Sequence, residues 1–321
     1  MLSGKLPIRL LFDLPFATYR LQLVFMNLLQ AIILGIVQGL TEFIPISSTA
    51  HLVFASRFTH LYEGNPEQIT ATIAVIQLGT LAAVLIYFAS DILSIFAAFV
   101  RDHWRLVTGK RGMRFSGTQG VRPIWLSEES WLGWLIILGS IPIGVIGLLF
   151  KEQIEGEGTK NLWFIATMLI AVAILLGIAE LVGSQRKEVK DLGLIDSIVV
   201  GFAQVLALMP GASRSGSTIM GGLFAGQKRE AAARFSFLLS IPAISASGLL
   251  ELKEAIEILP GESFVPLIVG TIVSGVVGYL SIWFLLAFLR KNSTAIFIAY
   301  RIILGVIILV LLWQGVLSPQ I

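Results

Sequence analysis

The chain has 321 residues, of which 56% are apolar and only 13% charged, against roughly 25% charged in soluble domains. Its mean hydropathy is +0.87. So few polar groups cannot cover a soluble globular enzyme, and the composition fits neither a disordered nor a fibrous chain. What remains is a polytopic helical membrane protein with length for about six to eight spans. With no cysteine, there is no disulfide framework, thiolate metal site or cysteine nucleophile. The net charge of +3 is small, and its placement matters more than its sum.

In chain order, residues 1–27 form an N-terminal extension with Lys5, Arg9 and Arg20 among apolar residues. That pattern suits an interfacial helix better than a cleaved signal peptide, since no clear small-residue cleavage site follows. Two apolar regions, 28–58 and 194–225, are interrupted. Six runs are continuous: 69–88, 131–150, 162–182, 235–250, 264–289 and 295–316. Each is close to the roughly 20 residues that a spanning helix needs.

Basic residues set the expected orientation. Segment 91–130 holds Arg101, Arg105, Lys110, Arg111, Arg114 and Arg122. Segment 183–194 holds Arg186, Lys187 and Lys190, segment 226–234 holds Lys228, Arg229 and Arg234, and link 290–294 holds Arg290 and Lys291. Loops 151–161 and 251–263 hold only Lys151, Lys160 and Lys253. The positive-inside rule puts the first four on the cytoplasmic side. Residues 195–225 then enter and return on one side, as a re-entrant helix hairpin broken at Pro210, Gly211, Arg214 and Gly216. The same parity places 50–68 outside. Lys5, Arg9 and Arg20 run against the outside N-terminus that this parity requires.

Sliding the sequence by 166 residues lays Gly35 and Gln38 on Gly201 and Gln204, and Ser47, Ser48 and Thr49 on Ser213, Arg214 and Ser215. The chain thus reads as two repeats, 28–182 and 183–321, each one re-entrant hairpin plus three spans. Three is odd, so the second repeat is inverted, and such folds place their ligand site where broken helices meet near the midplane.

The chemistry-bearing residues fall on those two breaks. In the first, Gln38 and Glu42 share a helix face as i and i+4. A carboxylate there implies a partner. Pro45 ends the helix, and Ser47, Ser48 and Thr49 open the next one with hydroxyls and free N–H groups, a ready anion site. His51 can serve as general acid, general base or nucleophile. In the second break, Pro210-Gly-Ala-Ser213-Arg214-Ser215-Gly216-Ser217-Thr218 supplies hydroxyls, backbone donors and a guanidinium fork suited to phosphate. Arg214 needs an anionic partner, either Glu42, a bound phosphate or both. The bland alternatives are a buried hydrogen-bonded acid, an interfacial histidine and a simple kink. The combination favours a functional polar site. His60 and His103 read as surface residues, Gln77, Glu180 and Glu251 as hydrogen-bonding or boundary residues, and Glu152, Glu155 and Glu157 as a solvated outside loop.

Gln38-Gly-Leu-Thr-Glu42-Phe-Ile-Pro-Ile-Ser-Ser-Thr-Ala-His51 and Pro210-Gly-Ala-Ser-Arg-Ser-Gly-Ser-Thr218 closely resemble the two motifs of the bacterial undecaprenyl-diphosphate phosphatases, the bacitracin-resistance family. The stretch 231–242 is also similar, and the resemblance runs from about residue 28 to 316. It implies an inner-membrane enzyme that hydrolyses undecaprenyl diphosphate to undecaprenyl phosphate and inorganic phosphate on the outer face. This recycles the lipid carrier for the cell wall and confers bacitracin resistance. It implies a divalent cation, Mg²⁺ or Ca²⁺, held by Glu42 with Gln38, whose amide oxygen can ligate a hard cation. Gln38 stands where the family has Glu or Gln. Ser48, His51 and Arg214 fall on the family's functional serine, histidine and arginine.

The mechanism expected from the residues has Arg214 clamping the phosphates with Ser213, Ser215 and Thr218, and Ser47 and Thr49 on the opposite tip. Attack comes from Ser48 activated by His51, from His51 itself, or from water that Glu42 or His51 orients. The two-histidine chemistry of acid-phosphatase-like lipid phosphatases is excluded. Met220 stands six residues after Arg214, and no histidine follows His103. Expected partners are the polyprenyl diphosphate and membrane lipids, not nucleic acid, with a homodimer left open. The alternative reading is a secondary transporter of a lipid phosphate or inorganic anion, which needs neither a nucleophile nor a metal. A non-catalytic scaffold leaves buried Glu42 and Arg214 unexplained.

Overall fold

The structure is a computed structural model. It describes residues 25–109, 125–150 and 161–320, with the single positions 123, 153 and 159. The extension up to residue 24, the basic residues between 110 and 122, and Glu152, Glu155 and Glu157 lie outside the described residues.

The chain is helical throughout the described residues, apart from turns and two isolated bridges. The first broken pair is α1 (Leu28–Phe43) and α2 (Ser48–Phe58). Asn27 starts α1 through a capping box: Gln30 N–H donates to its side chain at 2.9 Å, and Asn27 N–H donates to Gln30 Oε1 at 2.7 Å. α3 (Pro66–Tyr87) and α4 (Ala89–Val107) follow, separated only by Phe88. Next come α5 (Glu128–Leu149) and α6 (Leu162–Val182). The second broken pair is α7 (Leu194–Val205) and α8 (Arg214–Phe224). It leads to α9 (Arg229–Ile258), α10 (Phe264–Leu289) and α11 (Ala295–Trp313).

Among the described residues, six helices are long and apolar enough to cross a membrane: α3, α5, α6, α9, α10 and α11. They match the six runs expected from sequence, with α9 longer at both ends. The two broken pairs are too short to cross singly, and their positions are compatible with re-entrant hairpins in an inverted repeat.

The packing pairs equivalent elements. α1 lies on α10 and α7 on α5, α3 meets α9, and α6 meets α11. Small residues permit close crossings at equivalent positions of the two halves of the sequence. A carbon added at Gly35 would sit 2.4 Å from the Gly270 carbonyl oxygen, and one at Gly201 would sit 2.6 Å from that of Gly139. Lipid tails are as apolar as leucine, so close backbone approach and side-chain packing hold such helices together more than apolar transfer does. A central cluster around Phe43, Phe88, Phe237, Ile219 and Ile282 fills the space between α1, α3, α8, α9 and α10.

Part of the expected basic loop is instead ordered. α4 takes in Arg101, Asp102, His103 and Arg105, whose polar run hides helical spacing. Its buried face carries Ala98 and Asp102, while Leu93, Phe96, Val100, Trp104 and Val107 stand exposed along the other. Asp102 accepts from the backbone N–H and hydroxyl of Ser127 at 2.8 and 2.7 Å, which ties α4 to the start of α5. His103 is not a free surface residue. It stacks on Phe99 at 4.1 Å and accepts from Trp134 Nε1 at 3.1 Å.

Candidate active site

The site grows from two matching turns. After Pro45 the chain turns through Ser47 at φ 77°, and after Gly211 (φ 94°) it turns through Ser213 at φ 70°. A non-glycine residue at positive φ costs about 1 kcal/mol or more and persists only where its surroundings demand it. Each serine here caps the helix it starts: Ala50 N–H donates to Ser47 Oγ at 3.5 Å, and Gly216 N–H donates to Ser213 Oγ at 3.2 Å. The first turns of α2 and α8 carry N–H groups with no intrahelical acceptor, the local chemistry of an anion site.

One guanidinium holds both turns. Arg301 on α11 is fully buried. It donates to Pro45 O at 3.3 Å, to Gly211 O at 3.2 Å, to Ala212 O at 2.8 Å and to Leu169 O on α6 at 3.2 Å. The two turns therefore sit within reach of a single side chain. Gly216 leaves room for it, since a carbon added there would lie 2.8 Å from an Arg301 terminal nitrogen.

Beside this junction Arg214 donates to Glu42. The two side chains are 14% and 5% exposed, so the pair is nearly sealed but open on the Arg214 side. Glu42 also accepts from Gln38 Nε2 at 2.9 Å, the i to i+4 contact expected from sequence, and from Gln77 Nε2 at 3.5 Å. Three donors therefore converge on one carboxylate.

His51 is held at both ring nitrogens. Nδ1 lies 2.7 Å from the Ser47 carbonyl oxygen, which can only accept, so Nδ1 carries a proton. Nε2 lies 2.6 Å from the Tyr300 hydroxyl, and the two rings stack at 5.7 Å.

The hydroxyls divide. Ser213 and Ser215 lie 3.2 Å apart at the second turn, and Ser48 is half-buried at the first. Thr49 is exposed. Thr218 is buried; it donates to Arg214 O at 2.8 Å and meets the Ser236 hydroxyl on α9, so it braces α8 from behind. The structure thus brings Gln38, Glu42, Arg214, Ser47, Ser213 and Ser215 to the junction, with His51 one turn into α2.

Three contributors come from spans that read as uninterrupted: Gln77, Tyr300 and Arg301. Arg301 had a signal, because an arginine in an apolar 19-residue helix is a functional candidate by default. Gln77 reads from sequence only as a hydrogen-bonding residue, which it is, with Glu42 as its acceptor. Glu180 likewise serves as a boundary residue, paired with Arg229 and accepting from Thr294 at 2.7 Å.

A hard cation can be weighed against these donors. Gln38 Oε1 is buried and has no hydrogen-bond partner. It belongs to the same side chain that contacts Glu42. Among the described residues no group of three or more histidine, cysteine, aspartate or glutamate side chains gathers. An orphaned amide oxygen and one carboxylate fit a Mg²⁺ or Ca²⁺ that takes its remaining oxygens from phosphate and water, and do not fit an all-protein cage.

The fold is that of a helical membrane protein with six long apolar helices, in which two broken helix pairs meet at a buried polar junction. Residues 31–307 match the family model of the bacitracin resistance protein BacA, and the chain belongs to that family. It is 52% identical over 281 residues to the undecaprenyl-diphosphatase of Syntrophobacter fumaroxidans, covering 87% of this chain and 95% of that protein. It is 45% identical over 313 residues to the undecaprenyl-diphosphatase of Nocardia farcinica, covering 91% and 98%. For that of Chlorobaculum parvum the figures are 44% over 303 residues, 92% and 100%.

Proposed function

We infer that this chain hydrolyses undecaprenyl diphosphate to undecaprenyl phosphate and inorganic phosphate, recycling the lipid carrier of cell-wall synthesis and conferring bacitracin resistance. The observation that carries this reading is the buried Glu42–Arg214 pair at the junction of two helix N-termini, in a chain so similar to undecaprenyl-diphosphatases.

A diphosphate brings several negative charges into a site of low dielectric, where fixed donors act more strongly than in water. Arg214 offers its fork to the phosphates, joined by the first-turn N–H groups of α2 and α8 and by the Ser213 and Ser215 hydroxyls. Glu42 and Gln38 would hold Mg²⁺ or Ca²⁺, which supplies charge neutralisation at the phosphate oxygens. The polyprenyl chain stays among lipid tails between the spans. Attack on the terminal phosphorus comes from Ser48, from His51 or from water. With Nδ1 committed to Ser47, the basic nitrogen of His51 is Nε2.

In this reading the enzyme lies in the bacterial inner membrane with the junction facing the outer side. Residues 28–182 and 183–321 are its inverted halves. The distribution of lysine and arginine between loops supports that orientation.

The test is phosphate release from undecaprenyl diphosphate by detergent-purified protein. It is run with Mg²⁺ or Ca²⁺, with EDTA, and with Glu42→Gln. Release by the wild type that disappears in both controls is the expected result. No release from folded wild-type protein would overturn the reading and make lipid-phosphate or anion flux the next assay.

A further inference from the structure

α11 reaches the site through two adjacent residues with different tasks. Arg301 ties the backbone of the two turns, and Tyr300 addresses the one imidazole at the junction. The Tyr300 contact is chemically specific. Its hydroxyl lies 2.6 Å from Nε2, while the Ser47 carbonyl holds the proton on Nδ1.

A neutral His51 therefore presents Nε2 as an acceptor, and the Tyr300 O–H donates to it. A protonated His51 presents N–H at the same position, and the Tyr300 oxygen accepts. A hydroxyl is both donor and acceptor, so it can satisfy both states: when the imidazole takes up a proton, the Tyr300 oxygen passes its own proton to Nε2 and takes the nucleophile's proton in its place, and the return step reverses both transfers. A carboxylate in its place would hold the imidazole as a cation. An apolar side chain would leave Nε2 without a partner at a half-buried position.

We propose that Tyr300 is a positioning residue for the hydrolysis: it keeps His51 Nε2 hydrogen-bonded and aimed through both halves of its proton cycle. The parallel rings, 10° from coplanar, fix the plane of the imidazole, and the hydroxyl fixes its rotation about that stack. Tyr300 is 41% exposed, so it is not sealed inside the helix packing. This role rests on the phosphatase reading of the site and adds to it the group through which His51 works.

Tyr300→Phe is the discriminating variant, because it keeps the stacking ring and removes only the hydroxyl. The expected result is a fall in kcat of about tenfold, the weight of one hydrogen bond, with KM and thermal unfolding temperature unchanged. A second readout needs no turnover. In protein labelled with ¹⁵N-histidine, with the His51 signals identified by their loss in His51→Asn, Nε2 of Tyr300→Phe moves downfield toward a free imine nitrogen. Wild-type kcat and an unmoved Nε2 signal in Tyr300→Phe would overturn the proposal. If the wild type releases no phosphate, the phosphatase reading has failed, a result distinct from a turning-over wild type matched by its Tyr300→Phe variant.

Discussion

Ser47 and Ser213 stand 166 positions apart and share one backbone conformation, φ 77° and ψ 101° against φ 70° and ψ 120°. Each caps an 11-residue helix with its own hydroxyl. The same offset relates Gly35 to Gly201, and each of these lies against a glycine carbonyl of a third helix, Gly270 or Gly139. The side chains at equivalent positions differ, however. Glu42 corresponds to Leu208, Ser48 to Arg214 and His51 to Ser217. One half brings the acid and the imidazole, and the other brings the guanidinium.

Replacing Ser47 separates its two roles. Ser47→Ala removes the cap and keeps the strained φ, and should lower stability by about 1–2 kcal/mol. Ser47→Gly also loses the cap but relaxes the strain, so it should cost less. Thermal unfolding in detergent, with the same pair of variants at Ser213, checks the order.

Glu42→Gln leaves Arg214 without its charge partner, and Arg214→Ala strands Glu42. Each should reduce phosphate release by on the order of 10²–10³-fold or more. Each should also destabilise the fold, because an unpaired buried charge remains. Exchanging the two residues restores the attraction but reverses the site. Glu42→Arg combined with Arg214→Glu should therefore recover stability without activity.

Arg301→Met removes the donor shared by Pro45, Gly211, Ala212 and Leu169. A loss of roughly 2 kcal/mol or more is expected from the stranded carbonyls, with kcat falling further than the change in folded fraction explains. Arg301→Lys keeps the charge but not the fork, and should recover only part of the loss. Unfolding curves and steady-state kinetics on the same preparations separate the two effects.

Metal dependence should respond to position 38. Gln38→Glu places a second carboxylate beside Glu42 and should reduce the Mg²⁺ concentration for half-maximal activity by about tenfold. Gln38→Leu should raise it by a similar factor. Titration of EDTA-treated enzyme with Mg²⁺ gives both values.

Both broken pairs were legible because helix-stopping residues announce them. Pro45 with Ser47, and Pro210 with Gly211, interrupt runs that are otherwise apolar. The Gln38–Glu42 contact followed from helical spacing alone. Arg301 and Tyr300 were hidden by their setting, a helix whose composition says only that it spans. Their meaning depends on contacts 256 and 249 residues away in sequence. α4 was hidden differently, since Arg101, Asp102, His103 and Arg105 make a polar run that masks an amphipathic helix. Thr49 and Thr218 sit within the motifs, but helix rotation turns the first to the exterior and the second into the α8–α9 interface.

The long reach of the Glu42–Arg214 pair also bears on how the protein is made. Arg214 follows Glu42 by 172 residues, roughly 10–30 s of synthesis at ordinary rates. Arg301 comes later still. Until Arg214 is made, Glu42 has no counter-charge, and an unpaired acid placed in a bilayer costs about 2.5–3.5 kcal/mol on the insertion scale measured for aspartate. A chain that stops early keeps that unpaired acid and a loose tip, and so carries within the membrane its own mark of incompleteness.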